Sequence, residues 1–98
     1  MPMSKTYFIY IMASHKNGTL YIGVTNNIAR RASQHREGLV PGFTKKYGVK
    51  HLVYVEACDD IRVAIHRETR LKKYKRRWKL ELIEHNPAWA DLYERLNA

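Results

Sequence analysis

The pattern of apolar and polar residues along the chain predicts three β-strands. Residues 7–13, YFIYIMA, are apolar at nearly every position and rich in strand-forming side chains, which indicates a central strand covered on both faces. A second strand is predicted for residues 20–24, LYIGV, and the dipeptide Asn17-Gly18 before it is a hairpin-turn signal. A third strand, HLVYVEA, is predicted for residues 51–57.

Helical periodicity and helix-end signals predict four helices. The first two begin after the N-cap pairs Thr25-Asn26 and Asp59-Asp60, and Asn86, which precedes a proline, marks the start of the last. The helices are expected over residues 28–37, 61–74 and 76–84 and from residue 86 onward.

The segment between the first helix and the third strand, residues 38–50, is rich in glycine and predicts a loop. The element order is then β-β-α-β-α-α-α, and the chain shows no repeat and no linker. This order predicts a single α+β domain over residues 1–98, in which helices flank a small three-stranded antiparallel sheet.

Two tyrosines, Tyr10 and Tyr21, point to the same side of the predicted sheet because side chains alternate along a strand. A two-residue turn at Asn17-Gly18 would leave them four strand positions apart, roughly 13 Å. A looser loop that shifts the register by two or four positions would bring them together on the same face. The pattern leaves the register open.

Positive charge is concentrated in one part of the chain. The sequence has 18 Lys and Arg residues against 9 Asp and Glu residues, a formal net charge of +9. Nine of the basic residues, with the single acid Glu68, lie in residues 62–79, and this density is self-repulsive unless a polyanion neutralises it. A solvated helix face is the structural alternative. Because Tyr74 and Trp78 interrupt the basic run, nucleic-acid binding is the favoured interpretation.

The remaining composition bears on the cellular compartment. The one cysteine, Cys58, cannot form an internal disulfide, which suits a reducing cytosol. The first six residues are too short and polar for a signal peptide, and no apolar run reaches the length that spans a membrane. A cytoplasmic protein that does not enter the membrane is therefore expected.

Three charged or titratable residues lie where they could meet a phosphate group. Arg31 and His35 are four positions apart, so both project from one side of the first helix. Arginine presents a fork of donors that matches phosphate oxygens, and histidine can accept a proton at neutral pH. An exposed arginine and a surface histidine are the structural alternative.

The third of these residues, Glu68, falls on the apolar stripe of its helix, between Ala64 and Leu71. A carboxylate partly removed from water needs a cation or hydrogen bonds to stay ionised. An arginine could supply the charge, and so could Mg²⁺, which binds through one or two carboxylates together with waters and phosphate oxygens. A buried Glu–Arg pair is the commoner structural outcome.

Other polar and aromatic residues also have structural explanations. Gly23 either lacks a side chain where a helix crosses or lets a ligand approach the backbone. Tyr10 and Tyr21 are explained as core aromatics, since a phenol with a pKa of about 10 is a poor base. Asn86 is explained as an N-cap. The histidines show no zinc-ligand spacing, and no phosphate-binding glycine loop is present, so no small-molecule cofactor is expected.

These segments together resemble the GIY-YIG nuclease superfamily, above all its small stand-alone bacterial members and then the N-terminal nuclease domain of the bacterial excinucleases. The first motif corresponds to residues 8–10, Phe-Ile-Tyr, and the second to residues 21–23, Tyr-Ile-Gly, and the likeness extends over residues 6–92. Phe8 replaces the glycine of the first motif, and Val24 stands where the excinuclease domains carry lysine.

The resemblance also assigns the polar residues. Arg31, ten positions after Tyr21, corresponds to the family arginine, and His35 to a position that is His or Tyr in many members. Glu68, within HRETRLKK, corresponds to the metal-binding glutamate, and Asn86 to the late asparagine that would contact phosphate or position the helix start.

What the resemblance implies is metal-dependent hydrolysis of phosphodiester bonds in DNA, with RNA as an alternative substrate. Glu68 would hold one Mg²⁺ or Mn²⁺, which polarises the scissile phosphate and stabilises the leaving 3′ oxygen. Arg31 would stabilise the developing negative charge. Tyr10, assisted by Tyr21 or His35, would orient and deprotonate the attacking water, and the immediate base stays open among these three.

Seven basic residues would contact the nucleic-acid backbone, which positions a substrate without reading its sequence. Binding should therefore weaken steeply with salt, and cleavage should be structure-selective or weakly sequence-specific, as in DNA repair or recombination. The residues are Lys45, Lys46, Arg70, Lys72, Lys73, Arg76 and Arg77.

Two other interpretations compete with a nuclease. A non-catalytic domain that retains the fold would bind nucleic acid without cleaving it. An adaptor would dock an acidic protein partner through Tyr74, Trp78 and Trp89, and nucleic acid would not compete.

Overall fold

The computed structural model describes residues 5–40 and 42–96, which form a three-stranded antiparallel sheet with helices packed on its two faces. The predicted α+β class and element order are confirmed, with one additional short helix, α2, inside the segment predicted to be a loop. The strands are β1 (Tyr7–Ala13), β2 (Leu20–Thr25) and β3 (His51–Cys58), in the spatial order β2-β1-β3. The helices are α1 (Ile28–Arg36), α2 (Phe43–Lys46), α3 (Ile61–Lys73), α4 (Arg76–Ile83) and α5 (Tyr93–Leu96).

β1 is the central strand, and both of its faces are buried, as its uninterrupted apolar run indicates. Ile9 and Ile11 belong to one hydrophobic cluster, which residues from α3 and α4 complete. Tyr10 and Met12 point the other way and belong to a second cluster, which includes residues of α1. The sheet therefore separates two cores, and Tyr10 lies on the side of α1.

The hairpin between β1 and β2 has a wider loop than the two-residue turn at Asn17-Gly18. Ser14 and Thr19 close a four-residue loop, in which the Gly18 amide donates to the His15 carbonyl at 2.9 Å. Asn17 takes a φ of 61°, a conformation that asparagine tolerates better than most residues. The register is shifted by two positions, the looser alternative left open by the sequence.

The helix starts follow side-chain capping. The N-cap of α1 is Asn27, whose side chain accepts from the Arg30 amide at 3.1 Å, so the predicted cap at Thr25-Asn26 is one residue early. Thr25 instead accepts from the amide of Asn27. Asp60 caps α3 by accepting from the Arg62 amide at 2.8 Å. Within residues 5–40 and 42–96, no helix is both long and apolar enough to cross a membrane.

The prediction that the last helix starts at Asn86 is wrong. Residues 85–92 form turns and extended segments, and the last helix, α5, comprises only Tyr93–Leu96. Trp89 has a φ of 54°, which a right-handed helix cannot include, and its side chain is buried in the α3 and α4 core. Burial of this large ring outweighs the local helix-start signal.

Candidate active site

Two tyrosines and a histidine meet on the α1 side of the sheet. In the observed register Tyr10 lies opposite Gly23, and Tyr21 lies opposite Met12, so the two tyrosines are diagonal neighbours on one face. Their ring centroids are 6.4 Å apart, and the His35 ring lies 5.8 Å from Tyr10 and 5.5 Å from Tyr21. The strand end and the first helix thus bring together three side chains that are far apart in sequence.

Gly23 makes this arrangement sterically possible. A Cβ atom placed on Gly23 would lie 2.5 Å from the Tyr10 hydroxyl and 2.6 Å from the ring carbon that bears it. The Tyr10 ring therefore lies across the backbone of β2 at the only residue type that leaves room for it. The group that occupies the space at Gly23 is the Tyr10 ring, which is neither the crossing helix nor the ligand of the two explanations considered.

Substitution of Gly23 by alanine is expected to destabilise the fold by about 1–3 kcal/mol and to displace the Tyr10 ring, because the added methyl group overlaps it. Urea unfolding of the Gly23→Ala protein measures this cost. In a Tyr10→Ala background, which removes the ring, the same substitution should cost much less. An equal cost in both backgrounds would show that the ring does not depend on Gly23.

His35 is a buried residue and not the surface histidine of the structural alternative. It is 2% exposed, and its Nε2 lies 3.1 Å from the Tyr10 hydroxyl oxygen. Its Nδ1 has no hydrogen-bond partner within the described part of the chain. Burial, with a further contribution from the Arg31 charge, lowers the pKa of His35 to about 4. The imidazole is therefore neutral at pH 7.

This pKa shift predicts a pH-dependent stability. Because His35 binds a proton more weakly in the folded state than in the unfolded state, stability falls as the pH drops from about 6.5 towards 4. The contribution is on the order of 2 kcal/mol. Urea unfolding at pH 7 and pH 4.5 should show a smaller pH effect in His35→Gln than in the wild type, whereas His66→Gln, at an exposed position, should leave it unchanged.

Arg31 adds a positive charge beside this cluster. It lies one turn before His35 on α1, and its Nη1 donates to the side-chain oxygen of Gln34 at 3.3 Å. Burial raises the pKa of Tyr10 above its ordinary value, and the Arg31 guanidinium opposes that shift. The same guanidinium contributes to the lowered pKa of His35. Arg31 thus acts electrostatically on two members of the cluster.

Glu68 is the acid of this region. It is on α3, its side chain is 17% exposed, and its carboxylate forms an ion pair with the exposed Lys72 at 3.2 Å. Its negative charge contributes to the raised pKa of Tyr10, after the larger effect of burial. The acid therefore lies within electrostatic reach of the Tyr10 phenol, and its partner is a lysine, whereas the sequence suggested an arginine as the commoner partner.

The donor set fits a hard cation with few protein ligands. Within residues 5–40 and 42–96, no group of three or more His, Cys, Asp or Glu side chains could hold a metal ion together. A transition-metal site of the zinc kind is therefore not built by these residues. A single carboxylate, paired with a lysine at the surface, suits Mg²⁺ or Mn²⁺, which take most of their ligands from water and phosphate.

A cavity of about 240 Å³ opens next to Tyr21 at the edge of β2. Its walls include Phe43 from α2 and two lysines, Lys72 and Lys79. The Nζ of Lys79 donates to the Lys72 carbonyl at 3.3 Å, which ties the end of α3 to α4. The surface beside the ring cluster is therefore cationic and accessible.

The seven predicted backbone-contact residues are all exposed. Lys72 is held by Glu68, and the Arg76 guanidinium donates to the carbonyls of Asn17 and Gly18 at 2.8 and 2.6 Å. Arg76 therefore also supports the β1–β2 loop. Lys45 and Lys46 come from α2, and the others come from α3 and α4.

Asn86 has a structural task. Its side-chain NH₂ donates to the carbonyls of Ala90 at 2.8 Å and Val53 at 3.4 Å, and its oxygen accepts from the Ala90 amide at 3.1 Å. These bonds hold the turn after α4 against β3. The structure does not bring Asn86 into the ring cluster by any hydrogen bond of the described residues.

A second polar group, not anticipated from sequence, lies on the opposite face of the sheet. Arg67 forms two hydrogen bonds to Glu56, at 2.8 and 3.2 Å, and one to the Tyr74 hydroxyl at 3.3 Å. Burial would raise the pKa of Glu56, but the bonds from Arg67 and Tyr54 hold it below its usual value. This group stabilises the packing of α3 on β3, and it removes Arg67 from the set of free cations.

Sequence reasoning also missed Phe43 and Lys79, which line the cavity, and Tyr47, which contacts Phe43. Phe43 stacks on Tyr21 with ring centroids 6.4 Å apart and packs 4.9 Å from Tyr47. The two aromatics lie in the segment predicted to be a loop, where no periodicity points to a binding role. Lys79 is part of the basic run, and that run was the one signal available for it.

Two tyrosines, an arginine and a histidine thus meet on one face of the sheet, and the charge of Glu68 acts on one of these tyrosines. Residues 6–96 match the family model described as the GIY-YIG catalytic domain. The chain therefore belongs to the GIY-YIG family. This domain indicates nuclease activity on nucleic acid, generally with a metal ion.

Relatives of similar length support the same assignment. A UPF0213 protein of Syntrophus aciditrophicus is 38% identical over 93 residues, which cover 87% of this chain and 97% of the relative. A UPF0213 protein of Clostridium perfringens is 35% identical over 88 residues, with 90% and 94% covered. The solution NMR structure of a UPF0213 protein from Bacillus halodurans is 29% identical, with a TM-score of 0.50 and coverage of 81% and 83%. The resemblance to small bacterial members is thus confirmed.

Proposed function

We propose that this protein is a metal-dependent endonuclease that hydrolyses phosphodiester bonds in DNA, as a single nuclease domain. The observation that carries the proposal is the convergence of Tyr10, Tyr21 and His35, with ring centroids within 6.4 Å, under the opposing charges of Arg31 and Glu68. A core of purely structural aromatics needs neither charge. A phosphate group needs a cation to neutralise it and an oriented water to attack it.

Glu68 would hold Mg²⁺ or Mn²⁺, which, when bound, supplies Lewis acidity to the phosphate and stabilises the leaving 3′ oxygen. The metal ion would displace Lys72 from Glu68, because the Lys72 side chain is 53% exposed and can turn into solvent. Without the cation, the Lys72 ammonium is the charged partner of the Glu68 carboxylate. Glu68 would therefore have a positively charged partner in both states, Lys72 in the free protein and the metal ion in the loaded protein.

Among the three candidate bases, Tyr21 faces the substrate. Tyr21 lines the cavity, whereas Tyr10 is 1% exposed and has a raised pKa, and His35 is 2% exposed. Tyr10 and His35, joined at 3.1 Å, then act as positioning residues that hold the Tyr21 ring in place. In its phenolate form, Tyr21 would orient the attacking water and take its proton while the water oxygen bonds to phosphorus and the bond from phosphorus to the 3′ oxygen breaks. Arg31 stabilises the charge on the non-bridging oxygens.

The exposed cations support backbone binding that does not read base sequence. Lys45 and Lys46 are exposed on α2 together with Phe43, which lines the cavity, and Lys72 and Lys79 line the same cavity from α3 and α4. Such contacts position a strand at the site and give steep salt dependence. Cleavage selected by nucleic-acid structure, as in repair or recombination, follows from this kind of recognition.

The proposal is tested by incubating the protein with supercoiled, single-stranded and branched DNA in Mg²⁺, in Mn²⁺ and in EDTA. Nicking that needs a divalent cation and declines with added salt is expected. Salt-sensitive binding without cleavage in any metal would instead identify a non-catalytic domain. If DNA does not bind at low salt, an adaptor that docks an acidic protein is the remaining interpretation.

A further inference from the structure

Phe43 and Tyr47, here called the aromatic pair, lie on the surface next to the candidate active site. Their ring centroids are 4.9 Å apart, and the residues are 47% and 49% exposed. Phe43 stacks on Tyr21 at 6.4 Å with an interplanar angle of 29°. The ring cluster that begins at the buried Tyr10 therefore continues through Tyr21 to the solvent.

Buried neighbours in the same segment, and not the aromatic pair, pack into the protein. The segment is anchored by Thr44, which is 3% exposed, and by Val49, which is fully buried, and the Val49 amide donates to the Thr44 carbonyl at 2.9 Å. Neither aromatic belongs to the two hydrophobic clusters formed by the described residues. Two large rings side by side in water are costly, and at the rim of a site they indicate a binding surface.

The charges around the aromatic pair select an anionic occupant. Lys45 and Lys46 share its helix, and the Lys46 Nζ lies 5.5 Å from the Tyr47 ring centroid. Lys72 and Lys79 line the cavity on which Phe43 and Tyr21 also border. Flat aromatic faces combined with lysines are what a single nucleic-acid strand contacts, with bases on the rings and phosphates on the cations.

We propose that the aromatic pair stacks on an unpaired base next to the scissile phosphate, so that the substrate is single-stranded or carries a flap or branch. This inference rests on the proposed function and specifies its substrate class. In a continuous duplex each base is already stacked between its neighbours and offers no face to a protein ring. In a single strand or at a junction a base is free to stack, and every base type has such a face.

The test is a binding measurement in EDTA, where no cleavage occurs, with a fluorescent single strand and the blunt-ended duplex formed by annealing that strand to its complement. Tyr47→Leu, which keeps an apolar side chain but removes the ring, should weaken single-strand binding about tenfold and duplex binding by less than about twofold. Tyr47→Phe should retain wild-type affinity. Tyr47 is preferred to Phe43 because Phe43 also contacts Tyr21 of the proposed site.

Trp78→Leu is the matched control, since Trp78 is an exposed aromatic, 41% exposed, that packs against Tyr74 on the other core. It should leave the ratio of the two affinities unchanged. Unaltered single-strand binding by Tyr47→Leu, or an equal loss for the duplex, overturns the inference. A single strand carrying 2-aminopurine gives a second readout, because stacking on the wild-type protein should quench its fluorescence. Binding without this quenching would also overturn the inference.

These outcomes are separable from those of the proposed function. Selective loss of single-strand binding in a protein that cleaves nothing in any metal would retain the stacking site and discard the nuclease. If the wild-type protein cleaves DNA and the Tyr47→Leu variant binds single strands normally, the nuclease function is retained and the stacking site is rejected.

Discussion

Glu68→Gln is expected to lower the rate of metal-dependent DNA cleavage by about a thousandfold while leaving the fold intact. The amide has almost the shape of the carboxylate but lacks the charge that would hold Mg²⁺ or Mn²⁺. Stability should change by about 1 kcal/mol or less, because the ion pair that is lost is with the exposed Lys72. Initial rates on supercoiled DNA, measured over a range of metal concentrations, test this.

Glu84→Gln is the matched control, because it makes the same change of charge at an exposed position where α4 ends. It should retain wild-type activity and metal dependence. Cleavage by Glu68→Gln at the wild-type rate would remove Glu68 from the metal site. Cleavage restored by a higher metal concentration would instead confirm weakened binding of the ion as the cause of the defect.

Arg31→Met is expected to reduce cleavage by about a hundred- to a thousandfold, since it removes the donor proposed for the non-bridging phosphate oxygens. It should also raise the pKa of His35 from its value of about 4, because the Arg31 charge is one of the two causes that lower it. Burial is the larger cause, so the pKa should stay below that of an exposed histidine. An NMR titration of the His35 ring measures this second effect.

Arg30→Met provides the comparison for Arg31, since Arg30 is the adjacent residue on the same helix, α1. Both substitutions remove one positive charge from that helix, and only the change at Arg31 should affect the His35 titration and the cleavage rate strongly. Equal rate losses in both variants would indicate general weakening of DNA binding and not a role at the reacting phosphate.

The elements of this fold follow from local pattern to within a few residues. The apolar run at residues 7–13 predicted a buried central strand, and the cap at Asp60 predicted the start of α3, because both depend on neighbours in sequence. The predicted helix at Asn86 failed because Trp89 is buried in a core assembled from distant segments. Burial of the Trp89 side chain contributes more free energy than the local preference of an N-cap residue and a following proline for starting a helix.

The motif resemblance gave most members of the candidate site but not their arrangement, and it also included Asn86, whose hydrogen bonds are to Val53 and Ala90. The motif resemblance singled out Tyr10, Tyr21, Arg31, His35 and Glu68 by their spacing. It could not show that His35 is buried against the Tyr10 hydroxyl, or that Glu68 pairs with a lysine. It also gave no reason to notice the aromatic pair, since Phe43 and Tyr47 lie in a segment without helical or strand periodicity.

Local periodicity alone was sufficient for the three strands and for helices α1, α3 and α4, and the motif resemblance was needed to single out the polar residues. The tertiary structure decided the register of the β1–β2 hairpin, and with it the distance between the two tyrosines. That register depends on a wider loop than the local turn signal indicates and on the fit of the Tyr10 ring over Gly23, a contact between two different strands. Only packing across the sheet can select among registers that local pattern treats alike.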